Sequence, residues 1–193
     1  MSWALWLTAG YLAGSVPFGV LVTRWRTGKD VRAHGSGNIG ATNVARVAGR
    51  ALGAVVLALD AAKAALPVFF AQRLVPDQPW LHAAVGAAAF AGHVFPVWLK
   101  FKGGKGVATA LGALAVLLPY SALAGFAVWL TVLVLFRISS VGSLLGALVA
   151  VGLAFVQAVP APYPWLAVAL TVAMLGTHRG NIGRLVHGGE NKV

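Results

Sequence analysis

Cysteine is absent from the chain. Disulfides, thiolate nucleophiles and thiolate metal ligands are thereby excluded, while the compartment stays undetermined. Carboxylates are almost as scarce: four Asp+Glu in 193 residues, at Asp30, Asp60, Asp77 and Glu190. They are too few and too scattered for a two-metal site. The five histidines, at 34, 82, 93, 178 and 187, include no close pair of the H-x-x-x-H kind. No metal and no other cofactor is therefore expected. Charge of any sign is rare, at 10% of residues against roughly 25% in soluble domains, which excludes a water-soluble globule.

What remains is apolar: 59% of the residues are hydrophobic. A membrane-spanning helix needs about 20 such residues. Segments near 3–23, 49–71, 80–99, 106–118, 120–136, 141–159 and 163–178 meet that need. The fourth, "GVATALGALAVLL", is short, and an alternative joins it through Pro119 to the fifth as one broken helix. The opening "MSWALWLTAG" has no basic n-region and no clear cleavage site before Arg24, so it reads as a retained first span rather than a signal peptide. The expected fold is all-α: a polytopic membrane helix bundle of about seven transmembrane helices, with residues 1–193 forming one unit.

Cation placement gives the orientation. With seven spans and the N-terminus outside, every Lys and Arg except Lys63 and Arg73 falls in an inner segment, and the C-terminus is cytoplasmic. With six spans, Arg137 and the C-terminal cluster move outside, so seven is preferred. Trp3, Trp6, Trp80 and Trp165 then fall near the outer face, and Trp25 and Trp98 near the inner one. Trp129 is mid-span and fits no belt. The net charge of +11 accompanies no basic helix or aromatic–basic module. It reads as a topology signal with attraction for anions, and no nucleic acid is expected as a partner.

The unusual chemistry gathers in three inner segments. The first holds "GSGNIGATNVAR". Gly35, Gly37 and Gly40 let backbone N–H groups converge on an anion. Ser36, Asn38, Thr42 and Asn43 add neutral donors, and Arg46 adds a planar fork suited to phosphate. From Asn43 onward a helix would put Arg46 and Arg50 one turn apart. The plainer alternative is a loop closed by a capped helix, but irregular backbone at membrane depth has to line a cavity. The second segment is "KFKGGKG", where Gly103, Gly104, Lys105 and Gly106 precede a helix start and suit an anion at its N-terminus. Lys105 is followed by Gly106 rather than Ser or Thr, so this is not a Walker A motif and ATP is not indicated. His93, just before it, is read as a packing or hydrogen-bonding histidine.

The third segment is "THRGNIGRLVHGGENKV". His178 and Asn181 share a face if the last span continues as helix, and His178 could orient a hydroxyl or move a proton. Glu190, alone in a basic tail, is read as the partner of a Lys or Arg. Asp60 and Lys63 lie three apart near mid-membrane. Inserting one such charge costs roughly 2.5–3.5 kcal/mol, so a buried structural pair is expected. Ser139, Ser140 and Ser143 could line the same inner site or merely cap a helix. Together these residues describe a polar, cationic pocket beside an apolar bundle. Two functions suit it: a phosphate-handling enzyme of lipid chemistry, or a transporter of a small phosphorylated anion.

Five stretches also carry a resemblance: "GSVPFG" at 14–19, "GSGNIGATNVAR" at 35–46, "DAAKAALPV" at 60–68, "GHVFPVWLKFKGGKGVAT" at 92–109 and "HRGNIGRLVHGGE" at 178–190. In these, and in their order along nearly the whole chain, the sequence resembles the bacterial acyl-phosphate:glycerol-3-phosphate acyltransferases. The resemblance implies an inner-membrane enzyme of seven spans with its site on the cytoplasmic face. It implies transfer of an acyl chain from acyl-phosphate to the 1-hydroxyl of sn-glycerol 3-phosphate. The products would be lysophosphatidic acid and phosphate, the first acylation in bacterial phospholipid synthesis. Ser36, Asn38, Thr42, Asn43 and Arg46 carry over as essential or phosphate-contacting positions. Gly103, Gly104, Lys105 and Gly106 carry over as the glycerol-phosphate cradle, His178 and Asn181 as activity-linked, Glu190 as structural, and Ser143 as a weaker match near substrate. The chain is expected to act as a monomer.

Overall fold

In a computed structural model describing residues 2–193, the chain is helical throughout its regular elements. In order these are α1 (Trp3–Ser15), α2 (Phe18–Thr27), α3 (Ala41–Ala48), α4 (Arg50–Leu74) and α5 (Pro79–Val94). Then come α6 (Val107–Leu117), α7 (Pro119–Phe136), α8 (Ser139–Val156), α9 (Pro162–Thr177) and α10 (Arg179–Val186). Five stretches are long and apolar enough to cross a membrane: Trp3–Thr27, Arg50–Leu74, Pro79–Leu99, Pro119–Phe136 and Ser139–Val156. Two shorter apolar helices, Val107–Leu117 and Pro162–Thr177, complete the bundle.

Several boundaries differ from the expectation, each for a local reason. The first span is two helices, because Pro17 disfavours the helical conformation of the residue before it and Val16 is extended. The segment expected to be helical from Asn43 begins at Ala41 and stops at Ala48. Gly49, at φ +93°, turns the chain there, so Arg46 and Arg50 belong to different helices. The fourth and fifth spans are separate helices parted only at Leu118, not one helix bent at Pro119. The seventh ends at Thr177, and His178 is the joint between α9 and α10.

Small residues let the helices approach. A Cβ at Gly14 would lie 2.0 Å from the Ala89 carbonyl oxygen, one at Gly92 2.2 Å from that of Tyr11, and one at Gly112 1.9 Å from that of Ala61. Gly125 of α7 and Gly146 of α8 are likewise in backbone contact. Lipid gives helices no hydrophobic reason to associate, so close backbone approach and buried polar links bind them instead. The main core gathers Ala64, Val68, Ala89, Ala113, Leu166 and Leu170 from α4, α5, α6 and α9. A smaller cluster of Val20, Val31, Ile39, Val44 and Val56 anchors the polar segment between α2 and α3 to α4.

Asp60 and Lys63 are buried and paired at 2.8 Å. Lys63 Nζ also donates to the Val16 carbonyl at the Pro17 break (2.7 Å), which accepts the Phe18 N–H as well (3.1 Å), and to His93 Nδ1 (2.9 Å). One ammonium thus ties three spans together.

Candidate active site

At the end of the bundle where residues 34–50, 100–106 and 177–193 converge, a cavity of about 730 Å³ opens. From the first segment, Ser36, Asn38, Gly40, Thr42, Asn43 and Arg46 line it. Lys105 and Gly106 line it from the second, and His178, Asn181, Arg184 and Glu190 from the third. Ser139, Ser140 and Ser143 contribute from the first turns of α8, and Asp60 and His93 from deeper in the bundle. Positions separated by over a hundred residues are thereby brought to one wall.

Asn43 is buried and works on its own loop rather than facing outward. Its Nδ2 donates to the carbonyls of Val31 (3.1 Å), His34 (3.0 Å) and Asn38 (2.9 Å). Its Oδ1 accepts from the Ser36 backbone N–H (2.9 Å). Asn38 Oδ1 accepts from the Gly40 N–H (2.8 Å), closing the turn ahead of α3. The side chain of Ser36 is left exposed beside the cavity. Gly35 and Gly37 do not line the cavity; their positive φ values of 60° and 71° shape the loop that carries Ser36.

The glycine cradle is narrower than the sequence implies. Gly103 and Gly104 do not line the cavity. Their N–H groups donate to the carbonyls of Val94 (3.1 Å) and His93 (3.0 Å). A Cβ on Gly104 would fall 2.1 Å from His93 Nε2. These two glycines seat the loop on α5, and only Lys105 and Gly106 reach the cavity. Lys63, similarly, acts from behind, through His93.

Lys105 Nζ donates to Asn181 Oδ1, and Asn181 Nδ2 donates to Glu190 Oε1. Ser140 Oγ donates to the same carboxylate (2.8 Å), and Arg184 Nε to its other oxygen (2.9 Å). Burial would raise the Glu190 carboxyl, but these hydrogen bonds hold it below the usual range. Burial pushes the Lys105 ammonium down to about 8, with Glu190 opposing and Arg184 and Arg46 adding to the fall. Arg46 donates to the carbonyls of Lys192 and Asn191, both at 3.1 Å. Arg46, Arg50, Lys105, Arg137 and Arg184 all line the cavity; among the described residues Glu190 is the one side-chain carboxylate there besides the paired Asp60, and Arg137 Nε donates to the Val193 oxygen at 2.7 Å. The surplus is positive, as a dianionic ligand requires.

His178 is buried, and its Nδ1 lies 2.8 Å from the Met174 carbonyl oxygen. A carbonyl only accepts, so Nδ1 carries the proton and Nε2 keeps its lone pair. Trp129, unexplained by any interfacial belt, donates from its indole to Ser139 Oγ (3.1 Å), which in turn meets Thr42 Oγ1 at 3.0 Å. The indole fixes a polar wall. Ser139, Ser140, Arg184 and Trp129 are among the site members that the sequence leaves without a definite place. Their partners are distant in the chain or across a helix break, and no local spacing signals them.

Beyond this polar head the cavity continues as an apolar limb between α4, α6, α7, α8 and α9, through Leu57, Leu111, Leu114, Phe126, Leu133 and Leu170. Ala54, Leu130 and Val134 line it and are exposed, so the limb is open sideways toward lipid. A cationic head continuous with a lateral apolar limb defines the class: an integral membrane protein that joins a soluble anion to a lipid chain. Glycerol-3-phosphate acyltransferase is the family whose signature matches residues 4–188. The glycerol-3-phosphate acyltransferase of Myxococcus xanthus (strain DK1622) is 59% identical over 183 residues, 95% of each chain. That of Anaeromyxobacter dehalogenans (strain 2CP-C) is 55% identical over 194 residues, 98% of this chain and 96% of the relative. Crystal structures of PlsY (YgiH), an integral membrane glycerol 3-phosphate acyltransferase, superpose closely. The glycerol 3-phosphate form has a TM-score of 0.94 at 36% identity, covering 100% of this chain and 96% of that one. The lysophosphatidic acid form has a TM-score of 0.91 at 35% identity, covering 100% and 95%. The chain belongs to the glycerol-3-phosphate acyltransferase family and is a membrane acyltransferase.

Proposed function

We propose that the protein transfers an acyl group from an acyl-phosphate to the 1-hydroxyl of sn-glycerol 3-phosphate, giving lysophosphatidic acid and phosphate. The observation that carries this reading is the continuity of the two halves of one cavity. The cationic head borders an apolar limb that opens to the bilayer. The limb ends among buried apolar residues, which suits a stationary chain better than the passage of an anion. The transporter reading is set aside on that ground.

Acyl-phosphate is a mixed anhydride and already activated, so the protein's task is positioning and charge stabilisation. Arg46 and Lys105, with the Gly106 N–H at the start of α6, hold the phosphate of glycerol 3-phosphate. Arg46 exchanges its two tail carbonyls for that phosphate. Ser36, Thr42 and the loop that Asn43 closes hold the donor phosphate. Asn181 passes the alignment of Lys105 on to Glu190. The hydroxyl oxygen attacks the carbonyl carbon, a tetrahedral oxyanion forms, and the bond to phosphate breaks. Before attack His178 Nε2 accepts the hydroxyl's hydrogen bond and aims it; as the carbonyl–phosphate bond breaks, that hydrogen bond is given up and the proton passes to the leaving phosphate. No metal or other cofactor enters this scheme, and one chain supplies every group in it.

The site is placed on the cytoplasmic face of the bacterial inner membrane, where glycerol 3-phosphate is soluble and inner-segment cations accumulate. The decisive experiment uses purified protein, labelled glycerol 3-phosphate and palmitoyl-phosphate, with palmitoyl-CoA as the control donor. Labelled lysophosphatidic acid from the phosphate donor alone is the expected result. Product from the CoA ester alone, or from neither, overturns the choice of donor.

A further inference from the structure

The apolar limb has a closed end. On α8 the cavity-lining stripe runs Ser139, Ser140, Ser143, Gly146, Ala147, Ala150. On α7 it runs back from Arg137 through Leu133, Trp129 and Gly125 to Ala122. Beyond these positions the stripes meet solid core. Ala154, one turn past Ala150, and Leu118, one turn before Ala122, are fully buried and do not line the cavity. Leu114 and Leu170 close the sides. From Ser139 to Ala150 the helix advances about 16 Å at ~1.5 Å per residue. That is about half the ~30 Å hydrocarbon core, the depth one acyl chain occupies in a single leaflet.

Resting on the reading above, in which the limb receives the donor's chain, we propose that Ala122 and Ala150 set the longest acyl chain the enzyme accepts. They are the smallest side chains that close the limb, and both are buried. Gly125 and Gly146 beside them cannot serve as adjustable stops. Their Cα positions are in backbone contact, and a Cβ on Gly146 would lie 2.4 Å from the Gly125 carbonyl oxygen. Enlarging a glycine would part α7 from α8; Ala122 and Ala150 both line the limb, so a larger side chain at either narrows its end, although the Ala150 Cβ also borders Gly125. Each methylene that can no longer be buried lowers affinity about fourfold, so a leucine at the end of the limb costs long donors at least tenfold and leaves short ones untouched.

The test measures kcat/KM for decanoyl-, dodecanoyl-, myristoyl-, palmitoyl- and stearoyl-phosphate with the full-length wild type, Ala150→Leu, Ala122→Leu and Ala147→Leu. Ala115→Leu, on the exposed face of α6, is the control. For Ala150→Leu and Ala122→Leu the palmitoyl-to-decanoyl ratio is expected to fall at least ~10-fold, with KM for glycerol 3-phosphate within about twofold of wild type. Ala147 lies about 4.5 Å nearer the head, so its leucine variant should cut off at shorter chains than Ala150→Leu. A chain-length profile parallel to wild type in all three variants, or a uniform loss at every length, overturns the proposal. If a leucine variant fails to fold by size-exclusion in detergent, Ala150→Val and Ala122→Val make the same comparison with a smaller step. Failure of the wild type with every acyl-phosphate would instead overturn the donor assignment, so the two failures are distinct.

Discussion

At the scale of single residues, the site divides into groups that face the cavity and groups that hold those groups still. Lys105 is of the first kind. With its ammonium lowered to about 8 by burial, it is charged below that pH and neutral above it. Binding of glycerol phosphate should therefore weaken as pH rises through about 8. KM is expected to increase about tenfold by pH ~9, and Lys105→Arg, permanently charged, should flatten that limb of the profile. His178→Gln tests whether the imidazole moves a proton or only aims the hydroxyl. Its kcat is expected to fall about tenfold, short of the ~10²–10⁴ that loss of a general base costs. Asn43 is of the second kind. Its type and place beside Ser36 mark it as polar and important, but not which way it points. That direction follows from the carbonyls of residues 31, 34 and 38 converging on it.

At the scale of elements, breaks matter as much as helices. At the Pro17 break the Val16 carbonyl accepts both the Phe18 N–H and the Lys63 ammonium of α4, which also pairs with Asp60 and touches His93 of α5. His93 in turn backs Gly104 and so the strand of loop that presents Lys105. The sequence shows the Asp60–Lys63 pair plainly, because two charges three apart in an apolar helix have no other economical arrangement. It does not show the links to α1 and α5, which depend on how the helices cross. Asp60→Asn leaves a buried ammonium without its counter-ion and is expected to destabilise the fold by about 3–5 kcal/mol, read as a large fall in thermal unfolding temperature. The double variant Asp60→Asn/Lys63→Met should recover much of that loss. A double variant no more stable than the single one would show that the links to Val16 and His93, rather than the ion pair, hold these spans.

At the scale of the whole molecule, orientation is the property most open to direct measurement, because a chain without cysteine is ready for single-cysteine labelling. Asp77→Cys and Ala161→Cys should react with a membrane-impermeant maleimide in intact cells. Lys100→Cys and His187→Cys should react only after the inner membrane is opened. The reverse pattern would invert the topology. Hydrophobicity, a property of segments a few dozen residues long, determined from sequence alone that this is a helical membrane protein, and cation placement led to the expectation that its three polar segments share the inner side. Residue type determined that those segments suit phosphate. Only the tertiary structure decided that Gly103 and Gly104 seat a loop while Lys105 and Gly106 face the cavity. It alone also joined Glu190 to Ser140 and Asn181, and extended the polar head into a limb ending at Ala122 and Ala150. The physical reason is range: burial in lipid and the chemistry of a side chain belong to the residue and its near neighbours. A cavity belongs to the crossing of five helices, where glycine contacts between spans set the distances.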